Sequence, residues 1–213
     1  MGRDTRGPCM RGLYAITPTT LCLDPPRLLT AVASALRGGA RVVQYRDKTH
    51  DHARRLASAR ALRTLCDRHR AKLIINDDVE LVLEADAHGV HLGLDDMGLV
   101  EARSRLGPDR LIGITCQDSL ARARAASEGG ADYLAFGAFF PSRTKPDARQ
   151  ATRELLEQAR VTTSLPLCAI GGITAQNCAP LIAAGADLIA AVEGVFAAAD
   201  IEAAARAYAR QFG

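Results

Sequence analysis

Eight short apolar runs alternate with longer stretches rich in Ala, Leu and Arg, and this alternation limits the possible folds more than any other feature of the chain. The runs are apolar on both faces, which is typical of parallel strands covered by helices. They lie at 13–17, 41–45, 72–75, 89–92, 111–115, 132–136, 167–170 and 187–192. The longer stretches have the spacing of helices. The clearest of them are 27–36, 52–68, 120–128 and 151–160.

The helical stretches end in a repeated way, with Gly followed by Ala directly before the next strand, as in Gly38-Gly39-Ala40 and Gly129-Gly130-Ala131. Gly provides the left-handed cap that ends a helix. This repeat favours one αβ unit used throughout. Eight such units in 213 residues predict an α/β fold, a single (β/α)8 TIM barrel over 11–213 preceded by a flexible arm at 1–10. An open doubly wound sheet is the alternative, but its G-x-G-x-x-G turn is missing after the first strand.

Charge and composition exclude several classes of function. The chain has 27 basic and 24 acidic side chains, a net charge of +3, which is too small for a polyanion-binding surface. Aromatic residues make up 4% and Trp is absent, so bases of a nucleic acid have little to stack on. No apolar run approaches the ~18 residues of a membrane span, and the cysteines form no C-x-x-C pair. We expect a cytoplasmic protein with small-molecule substrates, and a homo-oligomer stays open.

In a barrel of this kind, function lies at the carboxyl ends of the strands, because the loops that follow them meet at one mouth. After the second strand, alternation turns Gln44, Arg46 and Lys48 the same way, with Tyr45 and Asp47 between them. A guanidinium and an ammonium side by side suit phosphate or carboxylate oxygens. A solvated charged turn, with Asp47 paired locally, is the alternative.

Two acidic doublets follow the third and fourth strands. Asn76, Asp77 and Asp78 precede a helix that starts near Val79, and one of them serves as its N-cap. Gly93-Leu94-Asp95-Asp96 is expected to open a helix in the same way. Because neighbouring strands lie ~4.8 Å apart, one Asp from each can share a cation. Hard oxygen ligands without His or Cys suit Mg²⁺, and Mg²⁺ beside Arg and Lys predicts a diphosphate site.

The remaining strand ends add polar groups of weaker meaning. The fifth strand ends in Thr115, and the seventh and eighth end in Gly-Gly and in Val192-Glu193-Gly194, where such barrels often bind a phosphate. His88 and His91 flank the fourth strand and are expected to be structural, since neither has a triad partner. A long loop at 137–146, typical of a functional segment, carries Ser142, Arg143, Thr144 and Lys145.

Taken together, the motifs Q-Y-R-D-K, I-N-D-D-V, G-V-H-L-G-x-D-D, G-I-T, S-R-T-K and A-I-G-G-I resemble the thiamine-phosphate synthase family in order and spacing. The resemblance runs from residue 13 to residue 196. It implies a TIM barrel that joins a hydroxymethylpyrimidine diphosphate to a thiazole phosphate and releases diphosphate. The pyrimidine site would be lined by Gln44, Arg46, Lys48 and Asn76, and Mg²⁺ would be held by Asp77 and Asp96.

The same resemblance implies roles for the other loops. Thr115 stands where the family usually has Ser, and Ser142 stands where Thr is usual. Gly172 and the backbone of Val192 would approach the thiazole phosphate. Glu193 departs from the family, which commonly has Ser at this position. The departure matters because a carboxylate repels a phosphate. The residues implied to bind substrate are Gln44, Tyr45, Arg46, Asp47, Lys48, Asn76, Thr115, Ser142, Arg143, Thr144, Lys145, Gly172, Val192 and Glu193.

The chemistry implied is a dissociative substitution that needs no protein nucleophile. Loss of diphosphate leaves a cation at the pyrimidine methylene, and the thiazole nitrogen attacks it. Arg46, Lys48, Lys145 and Mg²⁺, with the hydroxyl of Thr115, would stabilise the leaving group. Three alternatives stay open: a related barrel that isomerises thiazole phosphate, a non-catalytic or regulatory thiamine-phosphate-binding barrel, and an unrelated sugar-phosphate or indole-forming barrel.

Overall fold

The computed structural model describes residues 10–141 and 150–213, and all eight predicted strands lie within these ranges. The strands are β1 (Gly12–Ile16), β2 (Ala40–Tyr45), β3 (Lys72–Asn76), β4 (Gly89–Leu92), β5 (Leu111–Gln117), β6 (Tyr133–Phe136), β7 (Leu167–Ala169) and β8 (Leu188–Ala191). Each strand is parallel to the next in chain order, and β1 pairs with β8, so the sheet is a closed barrel. The TIM-barrel prediction is confirmed.

Helices connect successive strands and cover the outside of the barrel. They are α1 (Thr19–Cys22), α2 (Pro25–Arg37), α3 (His52–Arg68), α4 (Val79–Glu84), α5 (Leu99–Leu106), α6 (Leu120–Glu128), α7 (Arg153–Thr162), α8 (Ala179–Ala183), α9 (Glu193–Phe196) and α10 (Ile201–Ala209), followed by a 3-10 helix, Arg210–Phe212. Asp24, Asp51, Asp78, Ser119 and Asp200 cap their helices with a side-chain oxygen. In the described part of the chain, no helix combines the length and apolar character that crossing a membrane requires.

One expectation about the helices is wrong. Asp95 and Asp96 do not open α5, which begins at Leu99 with Gly98 as its N-cap. Asp96 instead turns back to the end of β4, where its carboxylate accepts a hydrogen bond from the backbone N–H of Gly93 at 2.6 Å. The carboxylate is therefore directed to the mouth of the barrel rather than to a helix terminus.

The strands bury both faces, as their sequences predict. One apolar cluster lies inside the barrel and includes Tyr14, Val42, Ile74, Tyr133 and Leu188. The larger cluster lies between the strands and the helices and takes the alternate residues of each strand. These two layers explain why the strands show no polar alternation: neither face of the sheet meets water.

Three pairs of strands are tied together at their amino ends by a side chain that stands directly before the second strand. In β5–β6 and β7–β8 the tie is a carboxylate, Asp132 or Asp187, which accepts from a backbone N–H of the preceding strand at 2.7 and 2.9 Å. In β3–β4 the tie is His88, whose Nδ1 accepts from the backbone N–H of Leu73 at 2.9 Å. The histidine can accept this bond only while Nδ1 is unprotonated.

Protonation of His88 should therefore weaken the fold. Burial, together with the cations Arg63 and Lys72, lowers the pKa of His88 to about 4, whereas an unfolded histidine titrates near 6.5. Between these values the unfolded state takes up a proton that the folded state does not, so stability falls as the pH is lowered through this window. We expect a contribution on the order of 1–3 kcal/mol, measured by urea unfolding at about pH 7 and about pH 5.

The variant His88→Asn provides the control, because its amide oxygen keeps an acceptor for Leu73 without a titratable group. Its free energy of unfolding should fall less than that of the wild type over the same pH interval. An equal fall in both proteins would show that His88 does not couple folding to pH.

Candidate active site

The end of β2 brings the first cationic groups to the mouth. Gln44 is buried inside the barrel, and its amide nitrogen donates to the hydroxyl of Tyr14 at 2.9 Å. Because β2 ends one residue later, Arg46 and Lys48 stand on the following loop. The ammonium of Lys48 crosses to β3 and donates to the carboxylate of Asp77. In residues 10–141 and 150–213 the guanidinium of Arg46 has no hydrogen-bond acceptor, so it is available to a ligand.

Two of the predicted substrate residues in this segment face away from the mouth. Tyr45 is 1% exposed and packs in the core between strands and helices. Its hydroxyl donates to Asp47, whose carboxylate also accepts from the backbone N–H of Thr49 at 2.9 Å and lies 3.5 Å from Arg54. Burial alone would raise the pKa of Asp47, but the hydrogen bonds from Thr49 and Tyr45 hold it below its usual value. These contacts fix the shape of the loop that carries Arg46 and Lys48.

The carboxylates of Asp77 and Asp96 stand at the ends of β3 and β4, as the spacing predicts, and lie close enough for each to shift the pKa of the other. Asn76 donates its amide N–H to Asp77 at 2.6 Å. Asp77 adopts a left-handed backbone with φ +64°, and its own N–H donates to the carbonyl of His91 at 2.9 Å. A Cβ at Gly93 would lie 2.9 Å from the Asp96 carboxylate, so glycine makes room for this arrangement.

The pKa values of the two carboxyl groups are shifted in opposite directions. Burial acts to raise the pKa of Asp77, but the hydrogen bond and charge of Lys48, together with the hydrogen bond from Asn76 and the contact with Asp96, hold the pKa below its ordinary value. Burial and the neighbouring Asp77 raise the pKa of Asp96. A divalent cation between them would offset this repulsion. Within the described ranges no cluster of three or more His, Cys, Asp or Glu is suited to a metal, so the donor set is two carboxylates with the Asn76 amide beside them.

Thr115 and His91 meet across the mouth beside this pair. Thr115 lies on β5, and its Oγ1 is 2.9 Å from Nε2 of His91. The other ring nitrogen of His91 is 3.0 Å from the hydroxyl of Tyr133. The sequence reasoning assigned His91 no part in the site, although a signal was present: Val90 and Leu92 face the outer core, so alternation turns His91 inward.

The opposite side of the mouth is built from backbone. Gly172 has φ +59°, and a Cβ there would lie 2.4 Å from the carbonyl oxygen of Pro141. Val192 precedes α9, and the N–H groups of Glu193 and Gly194 find no acceptor among the residues that the structure describes. Free N–H groups beside glycines suit an anion. Glu193 is exposed.

The loop after β6 leaves the barrel next to this backbone segment, since the N–H of Phe140 donates to the carbonyl of Gly171 at 3.0 Å. Four predicted substrate residues of the loop lie outside the described residues, and their assignment stays a prediction. They are Ser142, Arg143, Thr144 and Lys145.

The chain is similar to known proteins over nearly its whole length. A sequence model described as thiamine monophosphate synthase matches residues 13–195. The thiamine-phosphate synthase of Thioalkalivibrio sulfidiphilus is 55% identical over 206 residues, which is 97% of each chain. That of Marinobacter nauticus is 52% identical over 203 residues, covering 94% of this chain and 90% of the other.

Solved structures agree with this similarity. Thiamine phosphate pyrophosphorylase from Pyrococcus furiosus superposes with a TM-score of 0.86 at 32% identity, covering 96% of each chain. A 3-hexulose-6-phosphate synthase superposes with a TM-score of 0.65 at 15% identity, covering 95% of this chain and all of the other. The second likeness concerns the fold alone.

The variant Asp47→Asn should destabilise the fold, because it removes a buried charge that accepts several hydrogen bonds and faces Arg54. We expect a loss of about 1–3 kcal/mol in the free energy of unfolding, measured with urea. Asp95→Asn is the matched control, since Asp95 is exposed, and it should change stability by less than about 0.5 kcal/mol. Equal stability of the two variants would show that Asp47 does not fix the loop.

Proposed function

The chain belongs to the thiamine monophosphate synthase family, a family of thiamine-forming transferases, and from this we propose how its own residues divide the work. It condenses a hydroxymethylpyrimidine diphosphate with thiazole phosphate to give thiamine phosphate and diphosphate. The observation that carries the assignment of roles is the meeting of Asp77, Asp96 and Lys48 at the ends of three neighbouring strands.

Asp77 and Asp96 are proposed to hold Mg²⁺. Two carboxylate ligands from neighbouring strands, with the remaining positions left to water and substrate phosphates, are the usual donor set of this ion. Bound there, Mg²⁺ supplies positive charge that stabilises the departing diphosphate. The ammonium of Lys48, which donates to Asp77 in this structure, is then free to turn to the diphosphate oxygens.

The departing diphosphate is proposed to lie between the loops after β2 and β6. Arg46 offers a guanidinium without a protein acceptor in the described ranges, and Lys48 and the predicted Lys145 offer ammonium groups. Thr115 offers a hydroxyl. Donors directed at the leaving oxygens stabilise the charge that develops there. The pyrimidine cation forms once the diphosphate leaves, so groups that stabilise the leaving diphosphate promote this step. These four residues are therefore the proposed catalytic groups.

The two ring substrates are proposed to bind on either side of this charge. Gln44 and Asn76 line the pyrimidine side. On the thiazole side, the backbone of Gly172 and of the segment 192–194 receives the phosphate, with the predicted Ser142, Arg143 and Thr144. Attack by the thiazole nitrogen on the methylene cation forms the carbon–nitrogen bond, and no protein nucleophile is required. Tyr45 and Asp47 support the loop instead of touching substrate.

We also propose a cytoplasmic location. The five cysteines of the described residues are buried free thiols, among them Cys66 and Cys168, and burial raises the pKa of Cys66 to about 12. Unpaired thiols are typical of a reducing compartment.

The metal assignment predicts that substitutions of Asp95 and Asp96, which are adjacent in sequence, have very different effects on kcat. Asp77→Asn and Asp96→Asn should each lower kcat by about 10²-fold or more at saturating Mg²⁺, because each removes one of the two negative charges that would hold the ion. Asp95→Asn, one residue from Asp96 and exposed, should keep near-normal activity. Thiamine phosphate and diphosphate are both quantified, with and without Mg²⁺.

Near-normal turnover by Asp77→Asn would contradict the metal assignment. Lys145→Ala should also abolish turnover while leaving urea unfolding unchanged. Tight binding of both substrates without either product in the wild type would favour a binding barrel, and isomerisation of thiazole phosphate alone would favour the isomerase.

Glu193 sets a second prediction, on the thiazole phosphate side. Glu193→Ser removes a carboxylate beside the proposed phosphate, so the KM for thiazole phosphate should fall by about threefold to tenfold with little change in kcat. Glu101→Ser removes the same charge from the exposed face of α5 and should leave the KM unchanged. An unchanged KM in Glu193→Ser would mean that only the backbone of this residue faces the phosphate.

A further inference from the structure

A continuous chain of hydrogen bonds runs through the interior of the barrel and ends at the mouth. The amide of Gln44 contacts the hydroxyl of Tyr14 at 2.9 Å, and Tyr14 contacts the hydroxyl of Tyr133 at 2.9 Å. Tyr133 contacts Nδ1 of His91 at 3.0 Å, and Nε2 of His91 contacts Oγ1 of Thr115 at 2.9 Å. The chain thus links five side chains from β1, β2, β4, β5 and β6.

The protons of this chain can be placed by counting donors and acceptors. The Nε2 of Gln44 only donates, so Tyr14 accepts from it and has its own hydrogen left to donate. That hydrogen goes to Tyr133, whose hydrogen in turn goes to Nδ1 of His91. The ring proton of a neutral His91 then lies on Nε2 and is donated to Thr115. Every buried hydrogen has an acceptor in this arrangement.

The opposite arrangement leaves one buried group unsatisfied. If Nδ1 of His91 carried the proton, Tyr133 would accept it and donate to Tyr14. Tyr14 would then receive two hydrogen bonds and its own buried hydrogen would have no acceptor in the described residues. Such an unsatisfied group costs about 1–3 kcal/mol. Burial supports the starting point of the count, since it raises the pKa of both tyrosines above the usual value and so keeps their hydroxyl groups protonated.

The packing around the chain holds its members in place. The rings of His91 and Tyr133 stack with their centres 5.5 Å apart, and Tyr14 meets Tyr133 edge to face at 6.0 Å. Gly113 of β5 makes this possible, because a Cβ there would lie 1.9 Å from the Tyr133 ring. The direction of the hydrogen bonds is therefore set by buried groups with little freedom to rotate.

We propose that His91 is a positioning residue that acts through Thr115: by donating Nε2–H to Oγ1, it commits the threonine hydroxyl hydrogen to the mouth of the barrel. There the hydroxyl serves as a donor to an anionic oxygen of the leaving diphosphate. In the opposite tautomer Thr115 would donate its hydroxyl hydrogen to Nε2 of His91. Only the lone pairs of the hydroxyl would then face the anion. The tautomer follows from the hydrogen-bond geometry alone, whereas the effect on turnover rests on the proposed function.

The tautomer is tested directly in the substrate-free full chain by proton–nitrogen correlation spectra of the imidazole groups near neutral pH. The chain has five histidines, and the His91 signals are assigned by their absence in His91→Gln. A protonated Nε2 and an unprotonated Nδ1 are expected. A protonated Nδ1, a mixture of tautomers or a doubly protonated ring would overturn the proposal.

A double-mutant cycle tests the path through Thr115. His91→Leu removes the donor, whereas His91→Gln keeps a terminal amide N–H. We expect His91→Leu to lower kcat by about 10-fold to 10²-fold with a smaller change in KM, and His91→Gln to recover part of this loss. Thr115→Ser, which keeps a hydroxyl, should retain more of kcat than Thr115→Val, which has none.

In a Thr115→Val background the same two His91 substitutions should have little further effect on kcat. Full additivity of the His91 and Thr115 losses, in variants whose urea unfolding shows that they are folded, would overturn the proposed path. Failure of the wild type to form thiamine phosphate would instead refute the proposed function, and the tautomer measurement would stand by itself.

Discussion

The pairing of β1 with β8 is the constraint on which the rest of the structure depends. All eight strands are parallel, so their carboxyl ends lie at the same end of the barrel, and closure of the ring gathers the loops that follow them around one mouth. Side chains from Gln44 to Glu193 are brought together in this way, although most of the chain lies between them. The carboxylate pair follows the neighbouring strands β3 and β4, the backbone segment follows β7 and β8, and closure of the ring places both around the same mouth.

The interior of the barrel changes character along its axis. Near the amino ends it is filled by apolar side chains such as Met10, Val42 and Leu188, whereas near the mouth it contains the amide, hydroxyl and imidazole groups described above. Burying polar groups is unfavourable unless each has a partner. The hydrogen-bond chain meets this requirement, because each of its buried polar groups has a partner.

Much of this could be predicted from the sequence, and the failures have physical reasons. The strand-forming runs are apolar on both faces, and this pattern predicts the barrel. The two acidic doublets that follow adjacent strands predict the place where the carboxylates meet. Alternation does not apply to Arg46 and Lys48 because the strand ends before them, although the loop still brings them to the mouth, and it did not reveal that Asp47 is buried among Tyr45, Thr49 and Arg54. His91 was missed because its partners Tyr133 and Thr115 are remote in sequence, and only the pairing of β4 with β5 and of β5 with β6 brings them together.

The side-chain ties at the amino ends divide the barrel into neighbouring pairs of strands. Each of the ties at His88, Asp132 and Asp187 joins two strands that are consecutive in the chain, so it forms across a short loop. The pairing of β1 with β8 joins residues near opposite ends of the chain and carries the largest loop-closure entropy. Forming one of these tied two-strand units therefore costs less loop-closure entropy than closing the ring, and the pairing that closes the ring also completes the mouth.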